Sequence, residues 1–441
     1  MGLAKHSAQL FATKTVLFVL VTGTAIVNNR MLGPSGKGQY AIALLVVGTV
    51  SIIAPMGMGT AFQYCINKRR DRAGAFVGLS LVIAVLMGGL LSIPVWIFRA
   101  PLQATILKHV PDYTLALALF AVPFAMLGGN LLSAILLARL KVAQFSYLSL
   151  IQGATMLILS LVLVYWQRMG LNGAVWAYVL SLVAQASVAF YWVVRFEGIN
   201  FDFRGGLIRE TSGFSWKSFL SQIAMKLQYR LDFYMVNYLL MSSAMVGLYS
   251  VASQYCELLL YIPESVRGIV LTKVSADAEY GNKNTAAAAR QVVIAMGLAG
   301  VAAFFLAKPL IVAMFGSAFA GAIMPLRWLL PGVIMLGVCN MIYVDLAGRG
   351  MPEFTTLSSA LGLVLTVVFD LLLIPVLKIN GAAIASSIAY SGSAIMAMHF
   401  FARLSGQKWW SPLAIGRDDL RLTASYLRKG FDAVTGARRA A

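Results

Sequence analysis

Apolar stretches of about twenty residues, each closed by a charged or Gly/Pro-rich break, follow one another along this chain from Thr13 to Ala402. A hydrocarbon core about 30 Å thick is crossed by about 20 helical residues, so a chain patterned this way folds as a bundle of membrane-crossing helices. Charged residues fill 12% of the 441 positions, where a soluble domain carries about 25%, and cannot cover a water-facing surface. The breaks predict twelve spans, at 13–30, 40–63, 73–97, 113–138, 145–166, 171–194, 216–239, 247–270, 291–315, 323–347, 355–377 and 382–402. The expected class is an all-α polytopic membrane protein with twelve transmembrane helices.

The net charge of +19 would suit a nucleic-acid binder, but its cations are scattered through short loops and gathered in the tail. That distribution excludes nucleic acid as a partner and fits topology signals and contacts with anionic membrane lipids. With the amino terminus inside, the cytoplasmic segments hold 23 Lys and Arg and the outer loops 6, so both termini are predicted to be cytoplasmic. Lys5 and Lys14 precede an apolar run that continues to Val27, which predicts an uncleaved first span. Cys65, Cys256 and Cys339 fall singly inside spans, and His6, His109 and His399 are isolated, so no metal site, redox pair or catalytic residue is expected.

The chain is also duplicated. Gly38 and Tyr40 recur 209 positions later as Gly247 and Tyr249; Pro55 and Pro123 recur at 208 as Pro263 and Pro331. Arg139 recurs as Arg349, and Asn172-Gly173-Ala174 as Asn380-Gly381-Ala382. Six spans per copy is an even number, so the copies are parallel repeats related about the membrane normal. Such bundles place a substrate site between repeats and rock about it. The predicted organisation is a six-helix lobe at 1–205, a second at 206–403, and a cytoplasmic amphipathic tail at 404–441. In that tail Leu420, Ala424, Leu427, Phe431 and Val434 recur at helical spacing among basic residues, behind Trp409-Trp410.

Charges inside spans are the informative positions, because each costs about 2.5–3.5 kcal/mol at a helix centre. Lys217, Glu264, Arg267, Lys308, Arg327 and Asp345 lie near span ends, where snorkelling accounts for them. The seventh span instead carries Lys226, Arg230 and Asp232 deep in its length, which a lipid-facing helix does not tolerate. Lys226 and Arg230 share one face with Gln222, and Gln228 and Asp232 share another. The first-half counterparts of Lys226, Arg230 and Asp232 are Leu17, Val21 and Gly23, so the scaffold can be built without these charges. Gln222, Lys226 and Arg230 are therefore candidate substrate-binding residues. Asp232, Glu257 and Asp370 are candidates for balancing those cations or for coupling to a proton or sodium gradient.

Gly33-Pro34-Ser35-Gly36-Lys37-Gly38 lacks the glycine and the Ser/Thr that a P-loop needs. No nucleotide-hydrolysing segment or sizeable soluble domain is present, which argues for a transporter rather than an enzyme and predicts no cofactor.

Arg30, Leu32-Gly33-Pro34, Gly36, Gly38 and Tyr40, then Arg230-Leu231-Asp232 with Gly247-Leu248-Tyr249 and Ala252, then Leu373-Ile374-Pro375 with Ile379-Asn380-Gly381-Ala382-Ala383-Ile384-Ala385, stand in a characteristic order. Together they resemble the polysaccharide biosynthesis (Wzx-like) flippases of the multidrug/oligosaccharidyl-lipid/polysaccharide (MOP) superfamily. The resemblance implies two lobes around a central cavity, a MATE-like arrangement in which spans 1, 2, 7 and 8 line the walls. It implies an oligosaccharide on polyprenyl pyrophosphate, moved from the inner to the outer leaflet of a bacterial cytoplasmic (inner) membrane for cell-surface or exopolysaccharide synthesis. It gives Lys226 and Arg230 the anionic headgroup, and admits a polymerase or glycosyltransferases as partners. Asp370 stands where these proteins commonly carry asparagine, and Thr272-Lys273 where a proline is usual. Two other readings are a cation-coupled multidrug exporter of the same superfamily and a non-transporting subunit of a polysaccharide synthesis complex.

Overall fold

A computed structural model describes residues 2–68, 72–105, 107, 109–203, 207–421, 423 and 425. Among these residues the regular structure is helical, without a strand. In chain order the helices are α1 (Gly2–Ile53), α2 (Met58–Lys68), α3 (Ala73–Ile97), α4 (Arg99–Ala104), α5 (Asp112–Met126), α6 (Leu132–Ala138), α7 (Val142–Leu159), α8 (Gly170–Glu197), α9 (Leu207–Leu240), α10 (Ser243–Leu258), α11 (Tyr261–Ala276), α12 (Ala278–Phe315), α13 (Ile323–Gly348), α14 (Pro352–Leu377) and α15 (Ile379–Ser405). Wider π turns at Leu127–Leu131 and Ser160–Trp166 join α5 to α6 and extend α7.

Nine helical stretches among the described residues are long and apolar enough to cross a membrane. Two features separate this number from the twelve predicted spans. The first and second spans are not divided by a loop: α1 runs through 30–40 and is broken at Gly33 alone (φ 63°, ψ −179°), followed by Pro34. A left-handed glycine and a proline without an N–H achieve in two residues what the Gly-rich segment suggested would take ten. The seventh span, in α9, is too polar to count by apolarity, and the eighth is divided between α10 and α11, 16 residues each and too short to cross alone.

The repeated residues mark matched features. Pro55 lies in the turn at 54–57 between α1 and α2, and Pro263 opens α11 just after the turn at 259–260. Each copy thus interrupts its second span near its repeated proline, the second break falling a few residues earlier than the first. Gly173 and Gly381 sit at matched helix starts, where an added methyl would meet the carbonyl oxygens of Leu163 and Leu373. These are close backbone approaches that only glycine permits.

The described chain forms two compact units: Met1–Ser250 with Ile311–Ala320, and Val251–Leu310 with Gly321–Ala441. These units divide at Ser250, later than the boundary at 205 expected from the sequence repeat. In the first unit Phe62 packs edge-on against Phe76 at 5.2 Å, with Leu115, Val122, Met126 and Leu131 buried around α5. In the second unit α15 packs along α13 and α14 through a face of small residues, Gly381, Ala382, Ala385, Ala389, Ser393 and Ala397. Small side chains let helices approach where no hydrophobic difference from lipid drives them together. Outward-facing Val85, Leu86 and Leu90 of α3, and Leu371, Leu372 and Val376 of α14, are left exposed, as an apolar solvent allows.

Candidate functional site

Helix α9 carries the predicted charges on two unlike faces. Lys226 is exposed, and Arg230 is half-buried with its guanidinium 5.6 Å from the centroid of the Phe233 ring. On the other face Gln228 and Asp232 are buried, Asp232 to 1%. Asp232 Oδ1 accepts the backbone N–H of Phe233 at 2.8 Å, and Oδ2 accepts the hydroxyl of Tyr249, from α10, at 2.5 Å. The Phe233 and Tyr249 rings meet edge-to-face at 5.2 Å. Gln222 lies on α9, but its side chain falls outside the described residues. The open face can therefore meet an anion while the buried carboxylate ties α9 to α10.

Other contacts in the first unit fix α9 in place. The Tyr234 hydroxyl and Thr49 Oγ1 of α1 share a hydrogen bond of 2.8 Å, and Ser215 Oγ donates to the Met56 carbonyl. Gly57 (φ 78°) lies against the backbone of Ser215 and Phe219, so the turn after α1 sits directly on α9.

Repeat-related residues meet in this unit. Ser35 Oγ and Ser243 Oγ, 208 positions apart, hydrogen bond at 2.8 Å. A methyl on Gly38 would strike the Ser243 carbonyl, and one on Gly247 would strike the Pro34 carbonyl. The contact is thus reciprocal in the numbering of the repeat. Beside it in the chain, Arg30 donates to the carbonyls of Ala313 and Met314 at 2.5 and 2.8 Å, satisfying the last turn of α12. His109 Nε2 lies 3.1 Å from the Met241 carbonyl.

The remaining candidates belong to the second unit. Glu257, on α10, is half-buried, and its Oε1 accepts from Ser253 Oγ at 3.4 Å. Asp370, on α14, is fully buried. Asp345, assigned to snorkelling from its place near a span end, is instead fully buried: its Oδ2 is 2.5 Å from Arg349 Nε, and its Oδ1 accepts from Thr285 at 2.7 Å. Arg349 also donates to Asn282 Oδ1 at 2.9 Å. The i,i+4 spacing of Asp345 and Arg349 was the signal for this pair. Its first-half counterpart Arg139 pairs with Glu197 at 2.6 Å, so each copy holds the same arginine with an acid from a different place. Among the described residues no group of three or more His, Cys, Asp and Glu side chains is arranged to hold a metal ion.

The tail begins docked to α12. Asp419 Oδ2 is 2.8 Å from Arg290 Nε and accepts the Gly416 N–H at 2.9 Å, while Arg290 also reaches the Ser411 carbonyl. Burial raises the Asp419 carboxyl, but the Gly416 N–H, the Arg290 guanidinium and Gln291 outweigh it, and the group titrates below its usual value. Trp409 stacks on His399 at 5.0 Å. Ala424, Leu427, Phe431 and Val434 of the expected amphipathic helix lie outside the described residues.

Helical packing of this kind defines a multi-pass membrane protein. The fold is shared with an inward-facing multidrug resistance MATE family transporter of the MOP superfamily (TM-score 0.73, 17% identity, 91% of this chain and 98% of that one). It is shared equally with the lipid II flippase MurJ in an inward closed conformation (TM-score 0.74, 14% identity, 96% and 99%). A curated relative, the succinoglycan biosynthesis transport protein ExoT of Rhizobium meliloti (strain 1021), is 22% identical over 352 residues, 78% of this chain and 69% of its own. The sequence model of the polysaccharide biosynthesis protein family matches residues 27–324, and the chain belongs to that family.

Proposed function

We propose that this chain is a flippase that carries the polar head of a polyprenyl-pyrophosphate-linked oligosaccharide from the inner to the outer leaflet by alternating access. The observation that carries the site assignment is the division of α9 into an open face with Lys226 and Arg230 and a sealed face with Asp232. On this reading the cations draw the pyrophosphate or an acidic sugar into a poorly hydrated space, where charge-assisted contacts are strong. The prenyl chain stays in lipid. Membership of the polysaccharide biosynthesis family supports the reading, as do a relative named for succinoglycan transport and a fold shared with a lipid II flippase. An exporter of organic cations would be served poorly by a basic open face.

The two lobes at 1–205 and 206–403 would supply the alternating motion. The inner membrane is the location this substrate requires, and the cation count supports cytoplasmic termini. Asp232, Glu257 and Asp370 are the carboxylates through which a proton or sodium gradient would act. A polymerase or glycosyltransferases would meet the protein at the membrane.

Replacing Lys226→Ala and Arg230→Ala together removes two charge-assisted contacts, each worth about 1.5–3 kcal/mol. Export of polymer should fall by at least about a hundredfold while the protein still inserts. Normal export by the double variant would end the headgroup assignment.

A further inference from the structure

The repeat exposes a difference between the two copies of one tyrosine. In the second copy the Tyr249 hydroxyl is satisfied by the Asp232 carboxylate, and the position three residues before Tyr249 is the apolar Val246. In the first copy the counterpart of Asp232 is Gly23, and that of Val246 is Lys37. Tyr40, the counterpart of Tyr249, is 3% exposed, and its hydroxyl has no hydrogen-bond partner among the described residues. Lys37 is 8% exposed, with its ammonium 5.5 Å from the centroid of the Tyr40 ring. Tyr178 of α8 is the electrostatic neighbour of Tyr40. One copy thus has a protein carboxylate beside its phenol; the other has a buried cation and a phenol donor with no carboxylate bonded to it among the described residues.

A shielded ammonium set over an aromatic ring, with no acid paired to it among the described residues, has lost much of its hydration and regained little. A phenol donor directed at no acceptor adds a second unmet demand. Both are met by one oxyanion.

We propose that Lys37 and Tyr40 form an anion-binding position in the first unit, taking a carboxylate or phosphate oxygen between the ammonium and the phenol. Assigning that anion to the transported molecule rests on the flippase reading; the binding itself does not. Lys37 lies between Ser35 and Gly38, with Tyr40 two residues beyond, on the segment that meets α10, so an occupant would sit beside that contact.

The test uses the full chain in nanodiscs of zwitterionic phosphatidylcholine, with thermal unfolding followed at constant ionic strength during titration with glucuronate or inorganic pyrophosphate. Wild-type protein should be stabilised saturably by at least one of them. A response to glucuronate identifies an acidic sugar as the natural source, and a response to pyrophosphate identifies the lipid linkage. Lys37→Gln and Lys37→Met should weaken binding at least about tenfold through loss of the charge-assisted contact. Lys37→Arg should keep it, and Tyr40→Phe should weaken it less. Lys37→Met should unfold at a higher temperature than wild type without anion, having shed a buried charge, which also certifies its folding. Failure of both anions to stabilise wild type, or unaltered binding by Lys37→Gln, overturns the site and leaves the role of Lys226 and Arg230 untouched. Normal export by the Lys226/Arg230 double variant, with anion binding intact at Lys37, removes the headgroup assignment and leaves this site standing.

Discussion

Asp232 and Asp345 both sit where lipid-facing helices exclude charge, and both are held by partners at short range. For Asp232 these are the Tyr249 hydroxyl and the Phe233 N–H. Tyr249→Phe removes a hydrogen bond to a charged group and should cost about 1.5–3 kcal/mol, read as a lower unfolding temperature in detergent. Asp345→Ala leaves the Arg349 guanidinium, 8% exposed, without its principal counter-ion and should cost about 3–5 kcal/mol by the same measurement. The charges of Lys226, Arg230 and Asp232 could be picked out in the sequence because three of them at the middle of a span are costly against lipid. Asp345 and Lys37 could not. One lies near a span end and the other in a Gly-rich segment, and a linear sequence gives snorkelling or a loop as the economical account of each.

At the scale of elements, the informative contact joins α1 and α10. Their backbones approach through Gly38 and Gly247, with Ser35 and Ser243 bonded beside them. Cysteines at Ser35 and Ser243 would be near enough to bridge, since a disulfide needs Cβ atoms only about 4 Å apart. Oxidation should cross-link them and stop export, and reduction should restore it; export by the cross-linked form would mean that α1 and α10 need not separate. The tail makes a second prediction. The Asp419 carboxyl titrates below its usual value of 3.8, so its contribution to docking on α12 is complete above that pH and fades as pH falls through its lower folded value. Asp419→Asn should free residues 416–421 to protease at neutral pH, where wild type resists. The helices and the duplicated prolines were legible from apolarity and spacing. The break in α1 was not, because a single left-handed glycine leaves the same sequence trace as a ten-residue loop.

For the whole molecule, the excess of loop cations on one side predicts which loops face the cytoplasm. A cysteine replacing Arg168 should react with an impermeant maleimide from outside intact cells, and one replacing Lys141 should not. Membrane class and family were readable end to end, since apolar runs and motif order extend over most of the chain. The crossing number was not, because charged α9 and the broken α10–α11 pair escape any apolarity threshold. The mutual fit of Gly38 with Gly247 also bears on descent. In an ancestor encoded as one half, this glycine would have faced its own twin across a homodimer, and any change there would have fallen twice on the same seam. Two separately encoded copies escape that constraint, so one can hold an acid beside its tyrosine while the other holds a lysine.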